Sequence, residues 1–204
     1  MIHLNGRQET KRRPDHQLIE SFIPDGSRVL DLGCGDGLLI ADLAANKGCQ
    51  VRGIEINEEA VLKCVGRGMP VYHGDMMEGM AFYRDGSFDV VVLSQTLQQT
   101  VDPPGVIDEM LRVGRRAIIS FPNFGYWRTR LQLLLSGRMP RHELLPYAWY
   151  DTPNVHLCTV ADFRELCDER HLTRIREVFL LPAGRPIRTL PNWRAGLAIF
   201  EVER

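Results

Sequence analysis

The stretch that most constrains this chain is Arg28 to Gly37, which reads R-V-L-D-L-G-C-G-D-G. Val29, Leu30 and Leu32 make a short apolar run with one acid, Asp31, inside it, and glycines stand at 33, 35 and 37. Leu38, Leu39, Ala41, Leu43 and Ala44 then recur at helical spacing. A strand therefore breaks into a turn, and a helix opens from the turn. Glycines this close together cost chain entropy and are tolerated where the backbone needs positive φ or must touch a ligand.

The dinucleotide fingerprint G-x-G-x-x-G seats a pyrophosphate on a helix N-terminus. Gly33 and Gly35 fit it, but its third position falls on Leu38, and the glycine comes one residue early at Gly37. Asp31 and Asp36 flank the turn, where their charge would repel a diphosphate and accommodate a cation. D-x-G-x-G-x-G on a strand end resembles the first motif of class I S-adenosylmethionine-dependent methyltransferases. Their ligand carries a sulfonium and an ammonium but no phosphate. Helix capping and dipole complementation remain open as roles for both acids.

A chain of 204 residues with 25% charged residues is of ordinary single-domain size and composition. A net charge of −1 argues against a general nucleic-acid binder. The halves differ: residues 1–102 carry 15 acids and 10 Lys/Arg, and residues 103–204 carry 11 acids and 15 Arg. That asymmetry suits an anionic ligand at the second half or solvated arginine faces. The five cysteines form no C-x-x-C pair and no metal-ligand spacing with the histidines, which fits a reducing compartment and no metal. No apolar run reaches membrane-helix length and the N-terminus lacks a signal-peptide core, so the expectation is a cytoplasmic protein with no membrane partner.

Along the chain, residues 1–13 are polar and read as a loose segment. Asp15 caps a helix to Phe22, with Leu18, Ile19 and Phe22 on one face. Strands are expected at 28–32, 50–56, 71–73, 88–93 and 117–121, alternating with helices at 37–47, after Asn57 and from Asp102 to Val113. This βα alternation implies a doubly wound, mostly parallel, Rossmann-like sheet. Two further strands, 173–181 and 196–202, bring the expected sheet to seven, and Thr159 caps a helix to Arg170. Residues 122–158 form an aromatic and Arg-rich insertion after strand five, with an amphipathic stretch at Trp127–Leu135. The connection 182–195 is long for a hairpin.

Ligands of open parallel sheets sit beyond the carboxyl ends of the strands. The candidate cofactor site is therefore Asp31, Gly33, Cys34, Gly35, Asp36 and Gly37 of the loop, then Glu55, Ile56, Asp75, Met76, Ser94 and Gln95. Glu55, at the tip of strand two, can accept from two ribose hydroxyls, or cap the helix beginning at Asn57. In the methyltransferase pattern Asp75 accepts from the adenine amino group, with Met76 against the ring. Leu93-Ser94-Gln95-Thr96 lacks the D/N-P-P-Y/F sequence of nucleobase amine methylases. Tyr126, Trp127, Arg128, Tyr150 and His156 are candidates for a substrate wall or a protein interface. No general base declares itself, although displacement at a sulfonium can run mainly on positioning.

Four segments carry a closer resemblance: V-L-D-L-G-C-G-D-G (29–37), V-V-L-S-Q-T-L-Q (91–98), S-F-P-N-F-G-Y-W-R-T-R-L-Q-L-L-L-S-G-R-M-P (120–140) and W-Y-D-T-P-N-V-H-L-C-T (149–159). Through them the chain from Pro14 to about Leu181 resembles the MetW family of methionine biosynthesis proteins. The resemblance implies a class I methyltransferase fold, S-adenosylmethionine or S-adenosylhomocysteine as cofactor, and association with homoserine O-acyltransferase. Two functions are compatible with it. The chain is either a cofactor-binding partner that regulates that enzyme, or a methyltransferase acting on a small, anionic metabolite with 122–158 as its lid.

Overall fold

The structure, a computed structural model, describes residues 13–204. The expected loose segment lies outside the described residues except for Arg13. Eight strands form one sheet in the order β3-β2-β1-β4-β5-β8-β6-β7. The first five are β1 (Arg28–Leu32), β2 (Gln50–Glu55), β3 (Val71–His73), β4 (Phe88–Ser94) and β5 (Gly114–Pro122), all mutually parallel. The parallel strands alternate with helices α1 (Pro14–Phe22), α2 (Leu38–Lys47), α3 (Glu58–Gly66), α4 (Met76–Ala81) and α5 (Pro103–Val113). After β5 come α6 (Trp127–Ser136), α7 (Val160–Glu169), β6 (Thr173–Leu180), β7 (Pro186–Ile187), α8 (Pro191–Arg194) and β8 (Leu197–Glu203). β8 inserts antiparallel between β5 and β6. The strand beyond the expected seven is β7, two residues long, inside the 182–195 connection. None of the helices among the described residues is long and apolar enough to cross a membrane.

Strand periodicity sorts the core into two layers. Val29, Val90, Val92, Ile118 and Ile199 face α1 and α2 and pack against Ile19, Phe22, Leu39 and Leu43. Leu30, Val91, Ile119, Phe121 and Phe200 face the other way, against Val106, Met110 and Phe163 of α5 and α7. The α1 face changes character at the carboxyl ends of the strands. Asp31, Ser94 and Ser120 continue the rows of Val29, Val92 and Ile118, so three polar side chains point under α1.

One expectation needs correction. Asp15 is not the cap of α1, since Arg13 occupies that position without a side-chain cap bond. Asp15 lies three, four and seven residues before Leu18, Ile19 and Phe22, which puts its carboxylate on the buried face. The stretch Trp127–Leu135 does form a helix, but α6 buries only Thr129 and exposes Leu131, Leu133, Leu134 and Leu135. Its sequence pattern is amphipathic, yet the described residues leave these leucines exposed.

Thr159 caps α7 in a reciprocal box: its hydroxyl accepts from Asp162 N at 3.2 Å and its own N–H donates to Asp162 at 3.0 Å. Thr159→Ala should lower stability by about 1 kcal/mol, read as a shifted urea midpoint with an unchanged slope.

Candidate functional site

All three loop glycines take positive φ, +65° at Gly33, +58° at Gly35 and +76° at Gly37. Two of them are also required by neighbours. A Cβ on Gly33 would lie 2.8 Å from the Thr96 hydroxyl, and one on Gly37 would lie 2.6 Å from Cys64 Sγ. Beyond its two chain neighbours, a Cβ on Gly35 would meet no atom of the described residues within 4 Å. The loop thus keeps one glycine whose side is open. Gly33 N and Cys34 N both donate to the Ile54 carbonyl, at 2.8 and 3.1 Å. Gly35 N donates to Glu55 Oε2 and Asn57 N donates to Glu55 Oε1, both at 2.8 Å. Glu55 therefore ties the glycine loop to the start of α3 with its two oxygens. Asn57 itself supplies the side-chain cap of α3.

The Cys34 thiol turns away from the open side and packs with Ile40 and Cys64, and burial pushes its pKa well up. Asp36 pairs with Arg67 at 2.9 Å, so its charge is balanced within the protein. Asp31 differs. It is almost fully buried, and its Oδ1 has no hydrogen-bond partner among the described residues. Burial first, then Glu55 and Asp15, push its pKa up to about 7 against the pull of Arg13. Asp15 is held below the ordinary aspartate value despite its burial, because Arg13, Gln95 and Ser94 surround it. Its Oδ2 accepts from Arg13 at 3.1 Å, Ser94 Oγ at 2.9 Å and Gln95 Nε2 at 2.9 Å. Gln95 pays for this position with a left-handed backbone, φ +53°, worth roughly 1–2 kcal/mol in a non-glycine residue.

A cavity of about 610 Å³ opens beyond the carboxyl ends of β1, β2 and β4, where the strand order reverses. Gly33, Glu55, Ile56, Asp75, Met76, Ser94 and Gln95 all line it. Its charged lining is three acids, Glu55, Asp75 and Asp102, against one cation, Arg13. Asp75 caps α4 through Oδ1, which accepts from Met77 N at 2.7 Å. A smaller hollow of about 290 Å³ on the other side of the loop is lined by Asp31, Gly33, Cys34, Gly35, Asp36 and Ser94, with Arg13 and His16. Gly37 lines neither and serves the turn.

The five substrate-wall or interface candidates lie elsewhere. Tyr126 is buried edge-on to Trp127 and His142, and Arg128 sits 5.9 Å from the Trp127 ring centre. Tyr150 is exposed against Trp149, and His156 Nε2 lies 3.2 Å from the Val101 carbonyl. None of the five lines either cavity beside the loop. Arg13, Asp15 and Thr96 line or brace the site without having been expected there. For Asp15 the signal was an acid on the apolar stripe of α1. For Arg13 and Thr96 the sequence held none.

A family profile described as methionine biosynthesis protein MetW matches residues 13–202. The bifunctional methionine biosynthesis protein MetXA/MetW of Rhodopirellula baltica is 37% identical over 93% of this chain and 32% of its own length. A ubiquinone biosynthesis O-methyltransferase of Burkholderia vietnamiensis is 37% identical over 40% of this chain and 37% of its own. The chain thus spans about a third of the length of these curated relatives. Among solved structures, a SAM-dependent methyltransferase of Thermotoga maritima, a possible histamine N-methyltransferase, superposes with a TM-score of 0.66 at 15% identity, covering 93% of this chain and 87% of that one. Magnesium protoporphyrin IX methyltransferase of Synechocystis, with bound SAH, gives 0.65 at 20% identity, covering 100% and 90%. At such identities the likeness establishes the class I methyltransferase fold.

Proposed function

The chain belongs to the MetW family of methionine biosynthesis proteins, and from that premise we propose that it binds S-adenosylmethionine or S-adenosylhomocysteine and regulates a homoserine O-acyltransferase by contact. The observation that carries the cofactor half is the buried, unpartnered Asp31 beside a loop whose middle glycine opens on empty space. A cationic ammonium there completes the orphaned carboxylate, whereas a diphosphate would meet Glu55, Asp75 and Asp102 in the adjoining cavity. Glu55 receives the ribose hydroxyls, Asp75 the adenine amino group, and Met76 and Ile56 flank the ring. Cys34 and Gly37 shape the loop, and Asp36 holds it to α3 through Arg67. The bound cofactor supplies an electrophilic methyl group on sulfur.

The partner half is supported by the MetXA/MetW relative, which carries both names in one polypeptide of which this chain matches about a third. Joining two modules in one chain raises their effective concentration, an arrangement that suits modules that touch. The segment 122–158 offers the surface, with Leu134 80%, Trp149 74% and Tyr150 76% exposed, and Trp127, Arg128 and His156 exposed as well. Aromatic and arginine side chains are the usual anchors of interfaces. The second reading, methyl transfer to a small metabolite, is favoured by a further cavity that shares Arg13, Gln95 and Gln99 with the cofactor cavity.

Calorimetry with S-adenosylhomocysteine against NAD tests the cofactor, and tight NAD binding would overturn it. Glu55→Ala should weaken binding by ~1.5–3 kcal/mol, the usual range for a charged hydrogen bond. It should also loosen the loop, since Gly35 N and Asn57 N lose their acceptor. Unchanged affinity removes Glu55 from the site. Co-purification with the acyltransferase and a changed rate of that enzyme support the regulator. Turnover of S-adenosylmethionine by this protein alone supports the methyltransferase.

A further inference from the structure

The cavity adjoining the cofactor site has a volume of about 360 Å³ and a lining of unusual balance. It holds one cation, Arg13, one anion, Glu143, and four carboxamides, Gln95, Gln98, Gln99 and Asn154. The rest of its wall is apolar apart from Tyr147. Gln98 is only 7% exposed, and its Nε2 donates to the Gln95 carbonyl at 2.7 Å. Among the described residues Gln98 Oε1 is buried with no partner, and Arg13 Nε is likewise buried without one. An unsatisfied buried acceptor costs about 1–3 kcal/mol, so a site that keeps one invites a donor from outside the protein.

The chemistry of that wall excludes the simpler ligands. A dicarboxylate would set its second charge against Glu143, and a bare amine would leave unused the donors that Arg13 keeps beyond its pair with Asp15. The volume is near the lower end for ligand cavities, which suits a small ligand. A molecule with one carboxylate and one ammonium matches both charges, and carboxamides can both donate to the former and accept from the latter. We infer that this cavity binds a small α-amino acid, its carboxylate toward Arg13 and its ammonium toward Glu143, with the carboxamides completing the polar contacts. The inference stands on this cavity and does not require the cofactor to be bound.

Calorimetry and thermal melts of the full chain with L-serine, L-homoserine and L-methionine, against succinate and ethanolamine, test it. At least one amino acid should bind saturably, with succinate and ethanolamine about tenfold weaker or worse. Glu143→Gln should reduce amino-acid affinity about three- to tenfold. It should leave S-adenosylhomocysteine affinity unchanged, because Glu143 lies outside the cofactor cavity. The inference falls if no amino acid binds at millimolar concentration, if succinate or ethanolamine binds best, or if Glu143→Gln changes nothing. An amino acid that binds while S-adenosylhomocysteine does not would sink the cofactor reading alone.

Discussion

Asp31→Asn should make the protein more stable at pH 8 by up to about 4 kcal/mol, while leaving its stability unchanged below about pH 3.5. The Asp31 carboxyl titrates at about 7 in the folded protein and at the ordinary aspartate value of 3.8 in the unfolded chain. Between those values the native state holds a proton that the unfolded state has lost. Stability is therefore complete below 3.8, falls as pH rises to 7, and is level above it. Three units at about 1.4 kcal/mol each give the limit quoted. Asparagine keeps the shape and removes the titration. His16, whose pKa burial and Arg13 push down, contributes a slope of opposite sign. It is common to both proteins and cancels in the difference. Urea unfolding of the two at several pH values is the measurement, and a difference that does not vary with pH would refute the assignment. The ligand should show the complementary behaviour: if an ammonium meets ionised Asp31, cofactor affinity rises about tenfold per unit as pH approaches 7. The ligand's own amine, titrating near 7.7–8.0, turns the curve down again. A site that keeps an acid it can barely ionise gives up stability for binding.

Gly35→Val should abolish cofactor binding in a protein that still folds. Its φ of +58° strains any side chain, by roughly 1–2 kcal/mol, and valine more than alanine. That strain is tolerable because, beyond its chain neighbours, the new Cβ meets no atom of the described residues within 4 Å, and the branched side chain stands in the hollow beside the loop instead. Gly37→Val is the contrasting case. There the Cβ lies 2.6 Å from Cys64 Sγ and 3.3 Å from its Cα, so α3 must move and the fold itself should suffer. Melting by circular dichroism and calorimetry with S-adenosylhomocysteine separate the two. A Gly35→Val protein of full affinity would discredit the loop as a ligand cradle.

Much of this site was legible because it depends on short stretches of chain. Positive φ at 33, 35 and 37 follows from local sterics, which is why three glycines announce a loop before any neighbour is known. Glu55, Asp75 and Ser94 were found because a parallel sheet places the ends of its strands together, and strand ends are marked by where apolar runs stop. That Glu55 and Asp75 hold backbone N–H groups of the loop and of α4 was half visible: the capping role was weighed for Glu55 and not for Asp75.

What sequence alone determined, then, is the alternation of strands and helices, the glycine loop and the acids that end the strands, all set by interactions within a few residues. Tertiary structure alone decided that Asp15 is a buried carboxylate instead of a cap, since Ser94, Gln95 and Ser120, its partners, lie 79, 80 and 105 residues away. It likewise decided that Arg13 stands where three cavities meet, that β8 slips between β5 and β6, and that the leucines of α6 stay uncovered. The reason is physical: burial, desolvation and charge pairing depend on what the folded chain brings near a residue, and that neighbourhood is assembled from segments far apart along the chain.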